Sequence, residues 1–169
     1  MSAVAELRRT TAASHDAVDA AFGAHDLSDA VAYRAFLIAH ARALPAAEAA
    51  MAGLPFARTL APRTPLLAAD LAELGEAMPA PLPFVIDSDA ARWGVLYVVE
   101  GSRLGGAMLA KQVSADLPHA YLAAVHPGGQ WRTIRAAIDN AAAGQDADWH
   151  TQMIDGALAT FALYRDSTV

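Results

Sequence analysis

The residues of this chain that could do chemistry are its histidines and one run of glycines. There are six histidines and no cysteine, which removes disulfides, thiolate metal sites and cysteine nucleophiles together. His15 stands out by its company. Leu7, Thr11, His15, Val18 and Phe22 recur at three- and four-residue steps and so share one side of a helix. A histidine on an apolar face is either a core residue with one satisfied hydrogen bond or a metal ligand, and its type alone leaves both open. Asp19, one turn on, is either a solvated acid or a carboxylate that orients the ring and sets its basicity. His40 also falls on an inward stripe. His25, His119, His126 and His150 lie beside turns or at helix ends, where capping or exposure is the expectation.

The glycines are Gly94, Gly101, Gly105 and Gly106, all inside what reads as one long helix. Each costs about 0.8–1 kcal/mol relative to alanine in a helix, so the set costs roughly 3–4 kcal/mol. In a chain this rich in alanine, something must need the missing methyl groups. Gly101 and Gly105 share a face one turn apart, with Gly94 two turns earlier. They form a strip where backbone can approach a flat object closely or where the helix can bend. The competing explanation is tight helix–helix packing of the small-xxx-small kind, whose spacing is common and weakly specific. A phosphate cradle is disfavoured, because no strand precedes the glycines and no Lys-Ser/Thr follows them. Other sites lack their patterns: there is no Glu-x-x-His, no His-Glu-x-x-His and no Gly-x-Ser-x-Gly.

The elements that must hold these residues are all helical, since no run alternates with period two for long enough to make a sheet. The first helix runs roughly from Ala3 to Phe22, with Gly23 as a plausible C-cap. Ser28 and Asp29 open a second, whose inward stripe is Tyr33, Phe36, Leu37, His40 and Leu44; Pro45 should kink or split it. Thr64-Pro65 reads as N-cap and first helical position. Pro79, Pro81 and Pro83 make an extended connector. Ser88 and Asp89 begin the glycine-bearing fourth helix, expected to reach about Asp116. A short helix or turn then covers Leu117 to His126. Gly128 and Gly129 precede a helix carrying Trp131, Ile134 and Ile138. The last begins near Asp148 and turns Trp149, Met153, Ala157, Phe161 and Tyr164 inward.

At 169 residues the expectation is an all-α, single-domain helical bundle spanning 1–169. The net charge of −6 gives a nucleic-acid partner no basic patch. The longest apolar stretch, Trp93 to Ala110, is broken by Glu100 and Arg103, so no membrane span is expected. The N-terminus shows no basic region followed by an apolar run, and with the missing cysteines this points to a soluble cytoplasmic protein.

Taken together, two segments resemble the haem oxygenase family, specifically its bacterial biliverdin-producing members. Leu7-Arg8-Arg9-Thr10-Thr11-Ala12-Ala13-Ser14-His15 resembles the family's proximal segment. Tyr97-Val98-Val99-Glu100-Gly101-Ser102-Arg103-Leu104-Gly105-Gly106 resembles its distal-helix signature and is the more specific of the two. Tyr33 to Ala50, with His40-Ala41-Arg42-Ala43-Leu44-Pro45, also reads like these forms, so the likeness runs from about Leu7 to Tyr164.

The resemblance implies a haem held between the first helix and a kinked glycine-rich helix, serving as both cofactor and substrate. It implies His15 as proximal iron ligand with Asp19 behind it, and Gly101, Ser102, Gly105 and Gly106 as the catalytic strip. It makes Tyr97, Arg8 and Arg132 contacts to the haem, the arginines pairing with its propionates; Arg135 follows from the same face as Arg132. The implied reaction opens the porphyrin at a meso carbon with O2, yielding biliverdin, CO and ferrous iron. Electrons come from a ferredoxin or flavin-type reductase, and a bacterial phytochrome is an implied acceptor of the product. Two departures stand beside this. Ser102 occupies the place where animal-type members carry an aspartate that anchors the catalytic waters, and the chain is short for the family. The rival readings are a non-catalytic haem or bilin carrier or sensor, and a pseudoenzyme scaffold.

Overall fold

The computed structural model describes residues 1–169 and contains helices but no strand. The helices are α1 (Ala3–Gly23), α2 (Ala30–Met51), α3 (Thr64–Glu73), α4 (Asp89–Ala110), α5 (Ala120–Ala123), α6 (Gln130–Ala142) and α7 (Ala147–Ser167), with a 3-10 turn at Pro55–Thr59. Four N-termini are set by a side chain that accepts from a backbone N–H of the first turn: Ser2, Asp29, Ser88 and Asp146. No helix is long and apolar enough to cross a membrane.

Packing is organised around α7. It lies along α4 as the principal helix pair and also carries α1 and α2; α2 in turn packs on α3 and α4. The α4–α7 crossing is made by two glycines facing each other's backbones. A Cβ on Gly94 would sit 2.0 Å from the Met153 carbonyl oxygen and 2.6 Å from the Ala157 nitrogen, and one on Gly156 would sit 2.1 Å from the Ala91 oxygen. Here the packing explanation for glycine holds. Around the crossing, Leu7, Leu37, Leu44, Val95, Leu96, Ile134, Ile138 and Met153 are fully buried in one continuous core.

Several boundaries differ from expectation. Helix α4 ends at Ala110 rather than near Asp116. The segment after it turns back to bury Val113, and Ser114 Oγ and the Pro118 carbonyl are tied to Ser28 O and Tyr33 Oη on the α2 side. Helix α2 runs unbroken through Pro45. Thr64 is the first helical residue and Arg63 the N-cap, because the Glu48 carboxylate, rather than Thr64, takes the Arg63 and Thr64 N–H groups at 2.8 and 2.9 Å. Gly23 closes α1 without a positive φ, with Ala24 as the cap. The proline connector is extended as expected, anchored by Leu82 N donating to Arg42 O at 2.8 Å.

Candidate functional site

Helices α1 and α4 both pack against α7 and α6, yet there is little or no packing between them. On α1 the residues that precede His15 on its face, Ala3, Leu7 and Thr11, are buried, with Thr11 Oγ1 donating to Leu7 O. His15 itself is not. Its side chain is 60% exposed and meets the core only through the edge of Phe161 on α7, at 5.9 Å between ring centroids. The apolar stripe therefore surfaces at His15, because the neighbour that would cover it is missing. His15 Nδ1 lies 3.3 Å from Asp19 Oδ2 and 3.9 Å from Asp16 Oδ1, while no hydrogen bond or ion pair engages Nε2. A carboxylate beside one ring nitrogen favours the proton there and leaves the other free as a lone-pair donor. That is the arrangement a metal-ligating histidine needs.

On α4 the glycines divide into two pairs. Gly94 is spent on the α7 crossing, and Gly106 on α5, where a Cβ would meet the Leu122 carbonyl oxygen at 3.1 Å. At Gly105 an added Cβ would meet nothing within 4 Å, and at Gly101 only the Trp131 ring at 3.4 Å. Packing inside the chain thus accounts for two of the four and leaves Gly101 and Gly105 unexplained on an open face. Tyr97 lies one turn before Gly101, its ring 6.4 Å from that of Trp131. Burial raises the Tyr97 hydroxyl's pKa, and the charge of Arg8 on α1 opposes that rise. Arg8 and Tyr97 thus sense each other across the space between the two helices.

The underside of α4 is polar and buried, which composition and spacing did not reveal. Glu100 is 1% exposed and its Oε2 accepts from both Arg103 Nε and His126 Nε2 at 2.8 Å. Arg103 also donates to the Ala61 carbonyl. The expectation that His126 caps a turn or faces solvent fails: its side chain is 5% exposed. Arg63, fully inside, donates to Val99 O at 2.6 Å and Ser102 Oγ at 2.8 Å, and Ser102 Oγ donates to Val99 O at 2.6 Å. The Ser102 hydroxyl is thereby engaged as both acceptor and donor, although the residue itself is exposed. Side-chain bonds to a helix carbonyl of this kind loosen the ladder and favour a bend. The available sequence signal was the placement of Glu100 and Arg103 three residues apart on an apolar helix, since charges in such a setting must pair.

Arg132 and Arg135 on α6 are exposed and make no ion pair. With Arg103, His126, Gly129 and Trp131 they line a hollow of about 380 Å³ beside the end of α4. His15, Gly101 and Gly105 are not among its lining residues, so the arginines and the α1–α4 space are neighbouring features and not one enclosed chamber.

His40 is enclosed by aromatic rings. Its centroid lies 4.4 Å from Phe36 and 4.6 Å from Phe22, and its Nδ1 is hydrogen-bonded to the Tyr121 hydroxyl at 2.6 Å. Burial, helped by the nearby positive charge of Arg63, lowers its pKa from 6.5 to about 3. The folded state therefore holds His40 neutral while the unfolded chain protonates it near 6.5. Stability from this site is complete above pH 6.5 and falls as the pH drops from there towards 3. Part of the residue remains in contact with solvent, which discounts the effect. The expected loss between pH 7 and pH 4.5 is about 1–2 kcal/mol. Unfolding free energies from urea titrations at the two pH values should fall by about that much more in the wild type than in His40→Gln.

No family model matches the chain. A protein of Xanthomonas campestris pv. campestris (strain 8004) named heme oxygenase is 40% identical over 107 residues, which is 59% of this chain and 63% of that protein. The alignment thus covers less than two thirds of that relative's length. The structure superimposes on that of the Neisseria meningitidis heme oxygenase, solved in NO- and CO-bound forms, with a TM-score of 0.84 over 99% of this chain and 90% of that one, at 23% identity. The fold is that of heme oxygenase.

Proposed function

We propose that this chain, which carries the haem oxygenase fold and is similar in sequence to one such enzyme, is itself a haem oxygenase. It would cleave haem at a meso carbon with O2 and external electrons to biliverdin, CO and ferrous iron. The observation that carries the reading is the pairing of an exposed histidine, its Nε2 free, with two glycines whose missing side chains nothing in the chain accounts for. These lie on α1 and α4, two helices that flank α7 and α6 with little or no packing between them. A flat ligand with a central metal needs a donor from one side and close backbone approach from the other.

Haem supplies the redox chemistry when bound, and the chain supplies binding, orientation and the exclusion of competing reactions. His15 Nε2 donates its lone pair, and Asp19 holds the opposite nitrogen's proton. Gly101 and Gly105 let the α4 backbone lie over the macrocycle. Arg8, near Tyr97, and the unpaired Arg132 and Arg135 supply cations for the propionates. Gly106 contributes indirectly, by letting α4 seat on α5. Ser102 acts through its bonds to Arg63 and Val99, which favour a bend of α4 beneath the strip. Electrons come from a ferredoxin or flavin-type reductase in the cytoplasm, and a bacterial phytochrome is the proposed recipient of biliverdin.

The test is a haemin titration followed by addition of a reductant in air. The expected result is a histidine-type Soret band that decays as biliverdin absorption and CO appear. A stable band would make the protein a carrier, and no band would remove haem from its function.

A further inference from the structure

Beneath the open glycines lies a second arrangement. His126 sits at the start of the connection into α6, and its Nε2–H is held by Glu100, the residue immediately before Gly101. The same carboxylate oxygen is held by Arg103, which reaches on to the Ala61 carbonyl. All three side chains are almost wholly buried, at 1%, 5% and 6% exposed for Glu100, His126 and Arg103. Glu100 Oε1 and His126 Nδ1 have no partner. A buried charged cluster with unpaired atoms is a poor device for stability, since apolar side chains of similar size would fill the space at less cost. What it does provide is direction. It fixes the plane of the His126 ring, and the Trp131 indole lies nearly parallel to that ring, at 13° and 5.9 Å between centroids. Trp131 in turn places its Cη2 atom 3.4 Å from where a Gly101 side chain would begin, with its ring 6.4 Å from that of Tyr97.

We infer that Glu100 and His126 are positioning residues for Trp131, and that Trp131 is the specificity-determining wall at the edge of the Gly101–Gly105 strip. Resting on the haem oxygenase reading, the inference adds what selects the carbon attacked. Propionates held by long, exposed arginine side chains set the haem disc's rotation only coarsely, leaving it room to slide and turn. A rigid indole at one edge of the strip limits how far the disc slides along α4 and how it turns, and so which meso position lies closest to the bound oxygen. The relay is Glu100 to His126 by hydrogen bond, His126 to Trp131 by ring contact, and Trp131 to substrate by its exposed edge.

The experiment compares wild type with His126→Phe, which keeps a flat ring but loses the N–H, with Glu100→Gln and with Trp131→Leu. Biliverdin isomers from single turnovers are separated by chromatography. The minor isomers' share is expected to rise at least about threefold in all three variants, while haem affinity changes by less than about threefold and the His15-type Soret band persists. Unchanged isomer composition in variants that retain the wild-type circular dichroism would overturn the wall. Positioning is read separately without haem, in a Trp93→Phe/Trp149→Phe background where Trp131 is the sole tryptophan. There His126→Ala or Glu100→Gln should red-shift Trp131 emission and lower its anisotropy. Unchanged emission and anisotropy would overturn the relay. Should the wild type bind no haem, the enzymatic reading and the wall that rests on it fall, while the fluorescence result still decides the relay.

Discussion

His15→Ala is expected to leave the fold intact and abolish the histidine-ligated haem spectrum, with turnover falling by at least about a hundredfold. The structural half rests on exposure. His15 is 60% exposed and contributes only an edge contact to Phe161, so its truncation removes almost nothing from the core. Stability should stay within about 0.5 kcal/mol of wild type, as for surface substitutions away from special features. The chemical half rests on the free Nε2 and the carboxylate behind Nδ1. Changing groups that merely support a ligand commonly costs 10–100-fold, and removing the ligand itself should cost more. Optical spectra of the haemin complex, thermal melts and product formation check the three parts together. Added imidazole should restore part of the spectrum, because the space left by the side chain is open. A retained histidine-type band in His15→Ala would place the iron ligand elsewhere.

The second large effect is a contrast between two glycines on the same helix. Gly94→Ala should destabilise the protein by about 2–4 kcal/mol, because a methyl group 2.0 Å from the Met153 carbonyl and 2.6 Å from the Ala157 nitrogen meets backbone that no rotamer can move. The helical preference of alanine, about 1 kcal/mol, offsets only part of this. In a chain of this size each kcal/mol moves the midpoint by about 2–4 °C, so a fall of roughly 10 °C is expected in thermal melts. Gly105→Ala should do the reverse. With nothing within 4 Å of the new Cβ, the helical preference acts alone and the protein gains about 0.5–1 kcal/mol. The same methyl would stand where the strip must lie against the macrocycle, and haem affinity should fall by about tenfold or more. A variant that is more stable and less active separates the demands of the fold from those of the site. If Gly105→Ala binds haem as well as wild type, the open face of α4 is not the haem face.

What the sequence determined by itself is local. Caps at Asp29 and Ser88 mark helix starts because a side-chain oxygen satisfies a backbone N–H only a few residues away. The proximity of His15 and Asp19 follows from the pitch of one helix. The aggregate cost of the α4 glycines was legible too, as was the family likeness carried by the segments around His15 and Gly101. What each glycine is for was not. Gly94, Gly101, Gly105 and Gly106 have one chemical nature, and only the presence of the Met153 backbone, the Trp131 ring, the Leu122 backbone or nothing opposite each of them decides between packing and an open cleft. The same limit hid the burial of His126, whose partner Glu100 lies 26 residues earlier in the chain. It hid the bond from Arg63 to Ser102, 39 residues apart. It also hid the exposure of His15 on an apolar stripe. A stripe read along one helix predicts burial only if another helix covers it, and α1 and α4 both pack on α7 and α6 with little or no packing between themselves. Backbone periodicity repeats every few residues and can be read from one strand of text. The space between two helices belongs to neither of them and exists only once the third dimension is filled.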